Sequence, residues 1–243
     1  MFRGKSILCT ICARGGSKGI KNKNIRKLLD KPLIAYSIEQ AKATGICDHI
    51  IVSTDSNKVI EIAKQYGADI FFKRPAELAT DEAPKLPVIK HAVIESEKYC
   101  GKKFDIVMDL DVTSPLRNIE DIIHAMEVFI EKNYDNLITA APARRSPYFN
   151  LVELTEDGKV VLSKPLQNSI VRRQDSPKCF DMNASIYIWK RDALLLNDTI
   201  FLENTGLYIM PEERSIDIDS ELDFEFVEFL MKKKLEETIS VKR

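Results

Sequence analysis

Four stretches of this chain combine residue types and spacings suited to chemistry on a phosphorylated substrate. The first runs Ala13, Arg14, Gly15, Gly16, Ser17, Lys18, Gly19, Ile20, Lys21, Asn22, Lys23, Asn24. Its three glycines let the backbone turn tightly and bring N–H groups close to an anion. Arg14, Lys18, Lys21 and Lys23 add positive charge, and an arginine can grip phosphate bidentately. The spacing matches neither a Walker A loop nor the dinucleotide GxGxxG. A solvated basic turn is the plainer alternative, but the clustering favours phosphate. The second stretch, Lys73-Arg74-Pro75-Ala76-Glu77-Leu78-Ala79-Thr80-Asp81, reads either as a solvated connection or as a loop that holds a base or sugar. In the third, Asp109-Leu-Asp-Val-Thr-Ser-Pro-Leu-Arg117, the i, i+2 spacing puts Asp109 and Asp111 on one side of an extended strand. They can hold a hard cation or serve as capping and turn residues. In the fourth, Ser215-Ile-Asp-Ile-Asp-Ser-Glu-Leu-Asp223, Asp217 and Asp219 alternate with Ile216 and Ile218. The isoleucines would anchor the run while both carboxylates face one way. Ser220 reads as a helix N-cap with Asp223 three residues on, and helix-end duty fits Asp223 and Glu221 better than Asp217. Magnesium commonly takes one or two carboxylates plus substrate phosphates and waters, so Asp217 and Asp219 with the basic loop form a candidate nucleotide–metal site.

These stretches need a scaffold, and the intervening sequence describes one. Strands are expected at Ser6–Cys12, His49–Ser53, Asp69–Phe72, Phe104–Leu110, Asn136–Ala140 and Ser185–Trp189. Helices are expected at Leu33–Ala43, Lys58–Tyr66, Leu86–Tyr99, Ile119–Glu131 and Glu221–Leu235. Such alternation implies an α/β fold, a mostly parallel Rossmann-like sheet with helices on both faces. Ligands of such sheets bind beyond the carboxyl ends of the strands, which is where the basic loop, the Arg74 loop and the Asp111 turn would fall. The rhythm breaks after Ala141. Residues 142–182 carry four prolines and two candidate strands, Phe149–Thr155 and Lys159–Ser163, around an Asp157-Gly158 hairpin signal. The expected division is therefore a catalytic domain of residues 1–141 and 183–243 with an excursion at 142–182.

Composition narrows the function classes. With 243 residues, 44% hydrophobic and 30% charged, a globular fold with a real core is expected. Lys+Arg number 36 against 37 Asp+Glu, which argues against a general nucleic-acid binder. Apolar stretches such as Ile7–Ala13 fall far short of the ~20 residues of a membrane span, and the N-terminus lacks a signal-peptide pattern. Five scattered cysteines point to a reducing cytoplasm. Cys9 and Cys12 form a CxxC inside a strand, where they would face opposite sides as core thiols.

The motifs ARGGSKGIKNKN, KRPAELATDEAP, TSPLR and SIDIDSELD, in that order, resemble those of the acylneuraminate cytidylyltransferases, enzymes that activate nonulosonic acids as CMP-sugars. The resemblance spans nearly the whole chain. LCTICARGGSKG, DLDVTSPLR, PARRSPYFNLVE and CFDMNASIYIW are similar to the bacterial CMP-legionaminic acid synthetases in particular. The resemblance implies a Mg2+-dependent transfer of CMP from CTP to the anomeric hydroxyl of an acidic nine-carbon sugar, with release of pyrophosphate. It places Ala13, Arg14, Gly15, Gly16, Ser17 and Lys18 on the nucleotide, with Arg14 and Lys18 at its phosphates and Lys23 and Asn24 nearby. Arg74 and Ala83 would lie beside cytosine. Asp217 and Asp219 would bind magnesium, with Asp217, Arg14 and Lys18 as the catalytic set. Arg173 and Asn183 match the sugar pocket, and 142–182 would be a homodimerisation excursion.

Two departures bear on substrate. Relatives acting on ordinary sialic acid commonly carry Gln-Pro before Thr-Ser-Pro, whereas Asp111-Val112 stand here. Asp111 would then be a third metal ligand or a replaced nucleotide contact. Asp181 stands where those enzymes commonly have Arg, and a reversed charge at a sugar pocket changes substrate preference. The alternatives are a synthetase for N-acetylneuraminic or 3-deoxy-octulosonic acid, or a catalytically silent nucleotide binder. Intact Arg14, Lys18, Asp217 and Asp219 disfavour the silent binder.

Overall fold

The computed structural model describes residues 1–17, 19–166 and 172–241, and the side chains of all of these except Arg173 and residues 238–241. The chain alternates as expected through β1 (Ile7–Cys12), α1 (Leu33–Thr44), β4 (His49–Ser53), α2 (Asn57–Gln65), α3 (Lys85–Cys100), β5 (Ile106–Leu110), α4 (Ile119–Glu131) and β6 (Asn136–Pro142). Two short strands, β2 (Lys27–Leu28) and β3 (Lys31–Pro32), pair with each other before α1. Beyond β6 come the hairpin β7 (Val152–Leu154) and β8 (Val160–Leu162), then β9 (Phe180–Lys190), α5 (Arg191–Leu196), β10 (Thr205–Ile209) and α6 (Glu221–Val241).

The main sheet has the order β10-β6-β9-β5-β1-β4. All its neighbours run parallel except β9, which is antiparallel to both β5 and β6. Helices cover both faces. One core gathers Ile34 and Ile38 of α1, Val59 of α2, Met126 and Phe129 of α4 and Val227 of α6. The other gathers Ile89 and Val93 of α3 and Leu194 of α5 over Tyr187 and Trp189. Strand β1 is buried on both faces, as a central parallel strand must be. Cys9 faces the first core and Cys12 the second, so the CxxC is neither a redox pair nor a metal clip, and all five cysteines are free.

One expected strand is absent. Asp69–Phe72 makes a single bridge, Asp69 to Ile51, and then leaves the sheet. Its aromatic side chains explain the departure: Phe71 stacks on Tyr99 at 4.2 Å and Phe72 meets His91 edge-on, both on α3. That packing draws the chain over the helix rather than along β4. The short pair β2 and β3, helix α5 and the edge strand β10 were not anticipated.

Strand β6 continues through Pro142 and pairs with the start of β9 at Phe180, so the hairpin hangs between these two strands. Its register sets Val152 opposite Leu162 and Leu154 opposite Val160, putting all four apolar side chains on one face. Leu154 is 75% exposed and Val160 67%. Gly158, at φ 77°, makes the turn. Among the described residues no helix is long and apolar enough to cross a membrane.

Candidate active site

The parallel strands β1, β4, β5, β6 and β10 all end at one edge of the sheet, and β9 begins there. Each chemistry-bearing stretch therefore arrives at the same rim. The basic loop leaves β1 and is tied down from several sides. The Gly15 N–H donates to Asp55 Oδ1 at 2.8 Å, and Asn24 Nδ2 donates to the Arg14 carbonyl at 2.9 Å. Lys23 Nζ reaches the Ile218 carbonyl at 2.7 Å and Asp219 Oδ1 at 3.1 Å. Gly19 lies so close to this acidic run that a Cβ there would stand 2.6 Å from the Asp219 carbonyl oxygen. The loop and the acidic run, some 200 residues apart in the chain, thus form one wall.

The acids of the fourth stretch divide by function. Asp223 Oδ2 accepts from the Ser220 N–H at 2.7 Å, and the Ser220 hydroxyl accepts from the Asp223 N–H, a reciprocal cap for α6. Glu221 pairs with Arg26 at 2.5 Å. Asp217 and Asp219 are left to face the rim. They line a cleft of about 330 Å3 with Asp181, Asn183, Arg144 and Phe226. Buried Ile218 holds the run down, and its N–H donates to the Thr113 carbonyl at 2.9 Å. Burial raises the Asp217 carboxyl above the usual carboxylate range, and the neighbouring negative charges of Asp219 and Asp111 raise it further. Two facing carboxylates with mutual repulsion and an open side suit a hard cation that takes its remaining ligands from phosphate and water. Magnesium fits this donor set. Among the described residues no three acidic, histidine or cysteine side chains come together as a closed cage.

The floor is the turn after β5. Lys85, on the first turn of α3, sets its ammonium 3.0 Å from Asp109 and 2.8 Å from Asp111, above the Tyr187 ring. Burial works against the lysine's charge, but the two aspartates more than offset it and push its pKa up. Burial alone would raise Asp111 too. Lys85 and the Thr113 hydrogen bonds instead hold its carboxyl well below the usual range. Arg117, only 2% exposed, donates to the Asp111 carbonyl at 3.1 Å, to Ser37 Oγ at 2.7 Å and to the Ser185 carbonyl at 2.7 Å. The Arg of TSPLR thus pins the turn from beneath.

A cytidylyltransferase family profile matches residues 8–240. This chain belongs to the cytidylyltransferase family. It is accordingly a nucleotidyltransferase. Among curated relatives of this cytidylyltransferase, the "post-translational flagellin modification protein B" of Campylobacter coli is 58% identical over 228 residues, covering 94% of this chain and 96% of its own. The CMP-N,N'-diacetyllegionaminic acid synthase of Campylobacter jejuni is 55% identical with the same coverage. A CMP:2-keto-3-deoxy-manno-octonic acid synthetase solved with CTP shares the fold, with TM-score 0.70 at 15% identity over 94% of this chain and 99% of that one.

The expected site residues of this cytidylyltransferase divide into those open to the rim and those spent on holding it. Ala13 is buried at the end of β1, and Gly15, Gly16 and Ser17 form the turn above it. Arg14 pairs with Asp81, bringing the basic loop against the second stretch. Arg74 is buried, its guanidinium donating to Ser53 Oγ at 3.0 Å and to the Ser53 carbonyl, so it fixes the loop that carries Ala83. Asn183 is 4% exposed and fills a bulge between β6 and β9. Its Oδ1 accepts from Thr139 at 2.7 Å and its Nδ2 donates to Ser215 Oγ at 3.0 Å, linking β6 and β9 to the acidic run. Asp181 is exposed and accepts from the Arg144 N–H at 3.2 Å. Both Asp111 oxygens are engaged, Oδ2 by Lys85 and Oδ1 by the Thr113 N–H at 2.9 Å and hydroxyl at 2.8 Å. Lys18 and the Arg173 side chain lie outside the described residues. Sequence reasoning missed Lys85, which reads as an ordinary first-turn lysine. The available signal was the pair Asp109 and Asp111, two carboxylates at a buried strand end that need a counter-charge.

Proposed function

We propose that this enzyme transfers CMP from CTP to the anomeric hydroxyl of a nonulosonic acid, N,N'-diacetyllegionaminic acid, releasing pyrophosphate. The observation that carries the reading is the junction at Lys23 and Gly19, which presses a phosphate-type glycine loop against the run that carries Asp217 and Asp219. The sugar oxygen forms a bond to the α-phosphorus as the bond to the β-phosphate oxygen breaks, and the hydroxyl proton is released. Such a transfer needs in-line positioning and charge neutralisation rather than a covalent enzyme intermediate. Asp217 and Asp219 would hold Mg2+, which when bound neutralises phosphate charge and acidifies the sugar hydroxyl. Arg14 and Lys18 stabilise the departing pyrophosphate, and Lys23 keeps the loop in place. Asp181 offers acceptor oxygens at the cleft, suited to amide N–H groups on the sugar. The high identity to a named legionaminic acid synthase supports the choice of sugar.

The exposed apolar face of β7 and β8 supports a homodimer, since a lone two-stranded ribbon is marginal in water and a twofold partner covers it. Arg173 would then reach the acidic sugar across the interface.

Pyrophosphate release with purified protein and Mg2+ tests the reading. Turnover should require CTP, not ATP, GTP or UTP. It should be fastest with N,N'-diacetyllegionaminic acid among a panel including N-acetylneuraminic and 3-deoxy-octulosonic acids. A higher kcat/KM for N-acetylneuraminic acid rejects the sugar assignment alone, whereas no CTP-dependent turnover with any acceptor rejects the reaction.

A further inference from the structure

The floor of the site holds three charges that the proposed reaction does not use. Asp109 is fully buried, Asp111 lies just beyond it on the same side of the strand, and the Lys85 ammonium sits between them. A strand carrying two carboxylates at i, i+2 would be left with uncompensated charge without that lysine. The ammonium has three protons. One is donated to Asp111 Oδ2 at 2.8 Å, Asp109 Oδ2 is held at 3.0 Å as an ion pair, and the Tyr187 ring stands 4.6 Å away.

The contacts run on from there. Asp111 Oδ1 accepts both the N–H and the hydroxyl of Thr113. The Thr113 carbonyl accepts from the Ile218 N–H at 2.9 Å, and Ile218 is the residue between Asp217 and Asp219. From α3, which follows the Arg74 and Ala83 loop, an unbroken series of polar contacts therefore reaches the acidic pair. Arg117 supports the same turn from below through the Asp111 carbonyl.

We infer that Lys85 is a positioning residue: it locks Asp111 into bracing the Thr113 turn, and so sets the placement of the Asp217–Asp219 pair, leaving Asp111 out of the metal's ligands. The inference rests on the reading of Asp217 and Asp219 as the magnesium-holding pair. It makes a specific distinction. An asparagine at 111 keeps an oxygen for Thr113, so the brace survives while a carboxylate ligand would be lost.

The test uses the full-length enzyme with four variants: Asp111→Asn, Lys85→Arg, Asp217→Asn, and the triple Lys85→Met, Asp109→Asn, Asp111→Ala, whose alanine leaves Thr113 without its acceptor. The triple removes all three charges together, which for a buried ion cluster is commonly tolerated by the fold. Three quantities are read: the Mg2+ concentration giving half-maximal pyrophosphate release, the KM for CTP, and Mn2+ affinity without substrates by electron paramagnetic resonance.

Asp111→Asn and Lys85→Arg should shift half-saturating Mg2+ by less than about threefold. The folded triple variant should shift it about tenfold or more, with a smaller change in KM for CTP, because the brace contacts the acidic run directly and reaches the glycine loop only through Lys23. Mn2+ affinity should follow the same order. An Asp111→Asn shift as large as that of Asp217→Asn makes Asp111 a ligand and overturns the inference. So does a folded triple variant with unchanged Mg2+ dependence, or an unfolded one, which would make the cluster structural. If Asp217→Asn leaves Mg2+ dependence unchanged, the metal reading itself has failed.

Discussion

Gly19→Ala isolates the junction between the basic loop and the acidic run. A Cβ at position 19 would stand 2.6 Å from the Asp219 carbonyl oxygen, where ordinary contact begins at 3.4 Å. The obstacle is backbone, so no side-chain rotation relieves it. Loop and acidic run must separate by roughly 0.5–0.8 Å, and misplacement of about 1 Å in a catalytic constellation can cost ~100-fold in rate. A loss of about 10- to 100-fold in kcat, equivalent to ~1.4–2.7 kcal/mol of barrier, is therefore expected. Gly19 is exposed and outside the core, so the unfolding midpoint should move little. Steady-state pyrophosphate release at saturating CTP, with urea unfolding in parallel, gives both numbers. A Gly19→Ala enzyme with kcat within twofold of the parent would refute the view that loop and carboxylates act at a fixed separation.

Three further outcomes are expected. Arg14→Ala should lower kcat by about a hundredfold, the ~3 kcal/mol of one lost charged transition-state contact, while circular dichroism stays unchanged; normal turnover would remove Arg14 from the phosphates. Because the Asp217 carboxyl is raised in the folded protein, the unfolded chain releases its proton first as pH rises, and this group costs the native state stability from its unfolded pKa upward. Metal-free Asp217→Asn should thus be more stable than the parent near neutral pH and lose that advantage in acid, where the carboxyl is protonated in both states; lower stability at neutral pH would contradict this. Leu154→Asp, placing a charge on the exposed hairpin face, should shift the mass in sedimentation from dimer to monomer; an unchanged dimer would locate the interface elsewhere.

Much of the scaffold was written locally. His49–Ser53 and Ile119–Glu131 match their strand and helix to the residue, and Gly45 at φ 65° ends α1, because β-branched runs, apolar periodicity and caps are short-range signals. The same is true of the hairpin turn at Asp157-Gly158 and the Ser220–Asp223 cap. These signals, with the topological rule for parallel sheets, also placed the basic loop, the Asp111 turn and the Arg74 loop at one rim. Local signals failed where distant neighbours decide. Asp69–Phe72 has the composition of a strand, but its phenylalanines are claimed by α3. Strand β10 is short and contains Gly206, which belongs there because the Tyr134 ring occupies the space of a side chain. The candidate site residues divide in the same way. Asp217 and Asp219 could be named from their alternation with isoleucine, a property of neighbouring positions. That Lys85 neutralises Asp109 and Asp111, that Arg74 and Asn183 are spent within the protein, and that Lys23 joins the two ends of the site are pairings across tens to hundreds of residues. Charge complementarity and close packing act through space, and only the folded chain determines which partners meet.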